Sequence, residues 1–175
     1  EGYEKQIDYI LSLPEEVQPV TAPQTRARDN FADHIDPMIK TQWDQLEPYN
    51  DLCPMDGDVR SLTGCGATAV SQIMNYYQWP EKGEGQITYH AKTLDLDISA
   101  NFEDYTFDWA NMTEQYDSTS TTVQKTAVAE LMYAIGVASK MDYNSTGSES
   151  SLLDIAVALE EYMGYDKNII FSQRY

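Results

Sequence analysis

Histidine and cysteine, which carry much of the nucleophilic and metal chemistry of proteins, occur only twice each in this chain of 175 residues. His34 and His90 are isolated, and no Cys-x-x-Cys pair joins Cys53 to Cys65. No zinc-type ligand set is therefore spelled out, and neither a metal nor another cofactor is expected. Basic residues are scarce as well: 11 Lys and Arg against 29 Asp and Glu give a net charge of −18. So acidic a chain argues against nucleic acid and anionic membranes as partners. No apolar run approaches the roughly 18 residues of a membrane-spanning helix, and no basic-then-apolar export signal is present. Glu1 in place of an initiator methionine points to a processed or artificial start, with any export signal already gone.

What is present suits one domain, or one lobe of a larger one, with a core of its own. Tyr3, Ile7, Ile10 and Leu11 recur at helical spacing until Pro14. From there to Asp29, three prolines amid Thr, Gln and Arg read as a linker. Arg26 and Arg28 make that linker a place for tryptic or self-cleavage, or simply a solvated joint. A second helix is predicted from Cys65 to Gln78, with Val70, Ile73, Met74 and Tyr77 as its stripe and Ala67 and Ala69 allowing close packing. A third runs from Thr122 to Lys140 on Val123, Ala127, Leu131, Met132 and Ile135, opened by a Thr121–Gln124 capping box. Gly136 inside it costs about 1 kcal/mol against Ala and so implies tight packing. A fourth spans Ser151 to Met163, buried through Leu152, Ile155, Ala156, Leu159 and Tyr162, with Gly164 at the C′ position. Short strands are predicted at 86–89 and 102–107 and again from Ile169, while the stretch after Asn50 reads as a polar Asp/Gly loop.

Cys65 carries the chemical signal. It sits between Gly64 and Gly66 at the head of a helix, where the partial positive charge of the N-terminus favours a thiolate. A cysteine nucleophile also needs a base, a group to orient that base, and donors for the oxyanion. Gln45 is the best side-chain donor upstream, since a carboxamide N–H can face a negative oxygen without competing for the proton. By parity, a Cys53–Cys65 disulfide is the rival reading, and it would silence the nucleophile.

The segments Trp43-Asp44-Gln45-Leu46-Glu47-Pro48-Tyr49-Asn50 and Thr63-Gly64-Cys65-Gly66-Ala67-Thr68-Ala69 resemble the W-x-Q-x-x-P-Y-N and T-G-C-x-A-T-A motifs of the streptopain family of papain-like cysteine peptidases. The similarity runs on through Gln72-Ile73-Met74, Trp79-Pro80, Gly136-Val137, Met141-Asp142-Tyr143 and Gly164-Tyr165, covering about residues 35–167. The resemblance implies an α+β, papain-like fold, of which this chain is mainly the helical lobe carrying the nucleophile helix. It implies Cys65 as nucleophile, its backbone N–H and Gln45 as oxyanion donors, and a substrate-cleft segment at Met141, Gly147 and Ser148. Residues 1–30 become the tail of a pro-segment plus linker, and 31–175 the N-terminal part of the catalytic domain. A protein or peptide substrate and a secreted or cell-surface bacterial setting follow from the same likeness.

The family's G-H-A-F and N-W-G-W-G segments, which hold its catalytic histidine, do not occur here, and neither His34 nor His90 has matching surroundings. The expectation is a cysteine endopeptidase whose imidazole comes from a further part or a second chain. This chain alone is expected to be inactive. Gly66, where the family often has Val, is a smaller departure. Two other classes remain: a non-catalytic, degenerate peptidase-like binding or inhibitor module, and a thiol oxidoreductase using Cys53 with Cys65.

Overall fold

The structure, a computed structural model, describes residues 36–169. The predicted helix around Ile7, the 14–29 linker, His34 and the strand beyond Ile169 lie outside that range. Among the described residues there are three helices: α1 Cys65–Tyr77, α2 Thr122–Ala138 and α3 Leu152–Tyr162. Two antiparallel hairpins accompany them, β1 Met55–Asp56 with β2 Val59–Arg60, and β3 Gln86–Ala91 with β4 Leu96–Asn101. The α+β class expected from the sequence holds.

Helix α2 is the centre. From Ala127 to Ala138 it is buried on every side apart from Glu130 and Tyr133, and α1, α3 and β4 pack on it. A helix apolar all round belongs inside. Its start is fixed as predicted: Thr121 accepts from the Gln124 N–H while the Gln124 side chain accepts the Thr121 N–H, satisfying two otherwise orphaned donors. Its end comes at Ala138 rather than Lys140, and Val123, the second residue of the helix, is exposed instead of buried. Gly164, at φ +60 after the Met163 cap, closes α3 in the left-handed conformation that glycine adopts freely.

Further expectations need correction. The buried face of α1 consists of Ala67, Thr68, Ser71 and Met74, while Ile73 and Tyr77 are 42% and 62% exposed. Ala67, Thr68 and Ser71 keep most of the inner face small, which allows close approach, and Met74 is its one large side chain. In α3, Ile155 and Ala158 are buried, but Leu152 lies open at the first turn. The second long strand occupies 96–101, just before the predicted 102–107. Asp95, at φ +50, turns the chain so that Ile98 faces the core and Asp97 and Ser99 face out. Phe102 and Phe107 are buried instead as anchors of the irregular stretch that follows, which begins with a 3-10 turn at Phe102–Asp104. The polar Asp/Gly loop after Asn50 folds into the β1–β2 hairpin around Gly57.

Candidate active site

Cys65 is the first residue of α1 and is exposed. The residue before it, Gly64, has φ +87, and a Cβ there would lie 2.7 Å from both Sδ and Cε of Met141. Backbone angle and space thus both require glycine at the step into the helix. No side chain caps α1, and its first turn holds no acidic residue. The Gly64 carbonyl accepts the Thr68 N–H at 3.0 Å, and the Thr63 and Thr68 hydroxyls meet at 2.9 Å, closing the turn beneath the cysteine.

Gln45 is brought to the same place from the other side. Its carbonyl accepts the Thr63 N–H at 3.3 Å, and its own N–H donates to the Asp44 carboxylate at 2.5 Å. The segment is pinned further back by Trp43, whose Nε1 donates to the Thr113 carbonyl at 2.8 Å and whose ring packs on Tyr49 and Tyr116. Asn50 then ties the two segments together, Nδ2 donating to the Ser61 carbonyl at 3.0 Å. The half-buried Gln45 therefore leans on the residues that lead into Cys65.

The predicted cleft residues divide. Gly147 is exposed, with nothing within 4 Å of the position of an added Cβ. Met141 is fully buried against Gly64 and Ser148 is 5% exposed, so both lie under the chain entering Cys65 and offer no open surface. Sequence reasoning missed Asn50, Thr63, Thr68 and Asn144 as supports. Their bonds run largely to backbone groups, which leave no mark in a residue pattern.

Cys53 and Cys65 are both free. Cys53 lies in the core, where burial pushes its thiol up to about 12. It is neither a disulfide partner nor a second reactive sulfur. His90 stands on exposed β3, with Nδ1 at 2.8 Å from Asp97 and Nε2 at 3.3 Å from Asp95. The Asp97 hydrogen bond leads in raising its pKa. A ring held on both nitrogens by its own hairpin has none to offer a thiol.

Residues 43–175 match the Peptidase C10 family. This chain belongs to that family. It is 31% identical to streptopain of Streptococcus pyogenes over 147 aligned positions, an alignment that covers 73% of this chain and 36% of streptopain. It is 25% identical over 185 aligned positions to the thiol protease/hemagglutinin PrtT of Porphyromonas gingivalis, an alignment that covers 99% of this chain and 21% of PrtT. Interpain A, a cysteine protease of Prevotella intermedia, superposes with a TM-score of 0.68 at 40% identity, over 73% of this chain and 54% of interpain A. A prointerpain A fragment matches equally well, with 42% of that fragment covered. This C10 chain thus spans about a third of streptopain's length and about half of interpain A's. The papain-like fold expected from the motifs is borne out by the interpain likeness.

Proposed function

We propose that this chain supplies the nucleophile and oxyanion donors of a bacterial, extracytoplasmic cysteine endopeptidase, with the imidazole delivered by a part outside these residues. The observation that carries this reading is an exposed Cys65 opening α1 beside a Gln45 whose backbone is bonded to Thr63. The dipole of α1 favours the thiolate by only about 0.3–1 kcal/mol, so a nearby imidazolium must provide most of its stabilisation.

In the reaction, Cys65 Sγ attacks the carbonyl carbon of a peptide bond. The carbonyl oxygen takes up the negative charge and is met by the Cys65 N–H and Gln45 Nε2. Collapse breaks the C–N bond, the imidazolium gives its proton to the departing amine, and a thioester remains on Cys65. Water, deprotonated by the imidazole, then attacks the thioester and releases the acid and the free thiol. Gly147, at an open loop, is placed with the substrate cleft. Residues 1–30 are read as the tail of a pro-segment with its linker, and 31–175 as the start of the catalytic domain.

The test is Cys65→Ala in the full-length protein. Cleavage of a denatured protein substrate and labelling by iodoacetamide should both disappear, with Cys53 unlabelled until the protein unfolds. Cleavage that survives the substitution removes Cys65 as nucleophile. Intact labelling of the wild type without any cleavage favours the non-catalytic, peptidase-like module.

A further inference from the structure

One loop holds both backbone groups of Leu62. The Leu62 N–H donates to the Asn144 carbonyl at 3.1 Å, and its carbonyl accepts from Ser148 Oγ at 2.7 Å. The same hydroxyl accepts the Asn144 N–H at 2.9 Å. Ser148 therefore bridges the two arms of its own loop and the chain entering Cys65. Met141 comes from the same loop, its thioether filling the space beside Gly64.

The loop is itself anchored at two carboxylates. Asp142 accepts from the Thr93 N–H and hydroxyl at 2.9 and 3.0 Å. Asp56 accepts from the Ser145 N–H and hydroxyl at 3.0 and 2.7 Å. The arms pair at Asp142 and Glu149, leaving Gly147 at the exposed tip.

A helix usually fixes its own start with a capping side chain, but Gly64 has none to give. The N-terminal donors of α1 are thereby left open, and the register of Cys65 must come from tertiary bonds. Leu62 and Thr63 are where those bonds gather: Gln45 grips Thr63, and Ser148 grips Leu62. An apolar side chain could fill the buried site of Ser148. What the hydroxyl adds is direction.

We propose that Ser148 is a positioning residue for the Cys65 thiol, setting through Leu62 where the sulfur stands relative to the Gln45 donor, with Met141 as an apolar backstop under Gly64. The claim rests on Cys65 being the nucleophile.

Ser148→Ala in the full-length protein tests it, read by peptide cleavage and by the pH profile of iodoacetamide alkylation at Cys65. Loss of one directed hydrogen bond should lower kcat about tenfold with KM within about twofold. The alkylation midpoint should rise, and Ser148→Thr should restore most of both. A raised KM at unchanged kcat would make Ser148 a substrate contact and overturn the proposal. So would wild-type kcat and alkylation in a folded Ser148→Ala. Should that variant not fold, Asp56→Ala frees the same loop from its exposed end. A kcat about threefold lower at constant KM supports the proposal, and wild-type kcat overturns it. Absence of cleavage by the wild type would sink the peptidase reading alone, because the alkylation profile tests the hold on Cys65 without any substrate.

Discussion

Ile155 occupies the space that a side chain at Gly66 would need: a Cβ there would lie 2.6 Å from Ile155 Cδ1. Helices α1 and α3 meet at this point, one residue past the candidate nucleophile. Gly66→Val should destabilise by about 1–3 kcal/mol through overpacking. Ile155→Ala should cost about 2–5 kcal/mol by leaving a cavity. In the double variant the valine fills that cavity, so the combined loss should fall short of the sum by more than about 0.5 kcal/mol. Urea unfolding of the three variants decides it, and simple additivity would show that the two sites do not share this space.

Gln45 acts through two separable groups. Its carbonyl supports Thr63, and any residue supplies a carbonyl. Its carboxamide is the proposed oxyanion donor. Gln45→Ala should therefore leave the melting temperature nearly unchanged while lowering kcat by about 10²–10³. Gln45→Glu should lose as much, because a carboxylate cannot donate and repels the oxyanion. A Gln45→Glu variant with near wild-type turnover would remove the side chain from the chemistry.

Helices were legible where 3.6-residue spacing and end signals agreed, as with the Thr121–Gln124 box and Gly164. Orientation was less legible. Ile73 and Tyr77 outweigh Ala67 and Ser71 on any hydrophobicity count, yet small side chains, with Met74, take the inner face of α1. Strand β4 runs through a strict apolar/polar alternation from Leu96 to Asn101, a period-2 signal overshadowed by the aromatic-rich stretch just after it. In the site, Cys65 and Gln45 were visible through motifs. The bonds that join them, Gln45 to Thr63 and Ser148 to Leu62, end on backbone groups common to every residue type. Met141 and Ser148, expected near the substrate cleft from the family likeness, are buried beneath the chain that enters Cys65.

The His90–Asp97 pair gives the hairpin a defined pH response. Its hydrogen bond to Asp97 raises the pKa of His90, so the folded state holds that proton more tightly than the unfolded chain does. The resulting stabilisation is complete below about pH 6.5, the unfolded value, and is lost as pH rises through the elevated folded value. Asp97→Asn should lower the His90 titration midpoint seen by NMR. It should also narrow its stability gap from wild type above neutrality. An unmoved midpoint would mean that Asp97 does not hold the ring in solution.

Tyr143 and Gly136 test how tightly α2 is packed. A Cβ at Gly136 would overlap the Tyr143 hydroxyl, and that hydroxyl is fully buried with no hydrogen-bond partner among the described residues. Alanine gains about 1 kcal/mol over glycine in a helix interior. Gly136→Ala should nonetheless destabilise, because the phenol has nowhere to retreat in a close-packed core. Tyr143→Phe removes the atom that overlaps and a polar group that burial leaves unsatisfied, so it should be neutral or slightly stabilising, although Cζ stays 3.2 Å from the added Cβ. On that background Gly136→Ala should lose much of its penalty, with the remaining 3.2 Å contact to the ring set against its helix-propensity gain. Chemical unfolding of the single and double variants measures the difference. A loss above about 1.5 kcal/mol for Tyr143→Phe alone would reveal a partner for the hydroxyl and undo this account of the glycine.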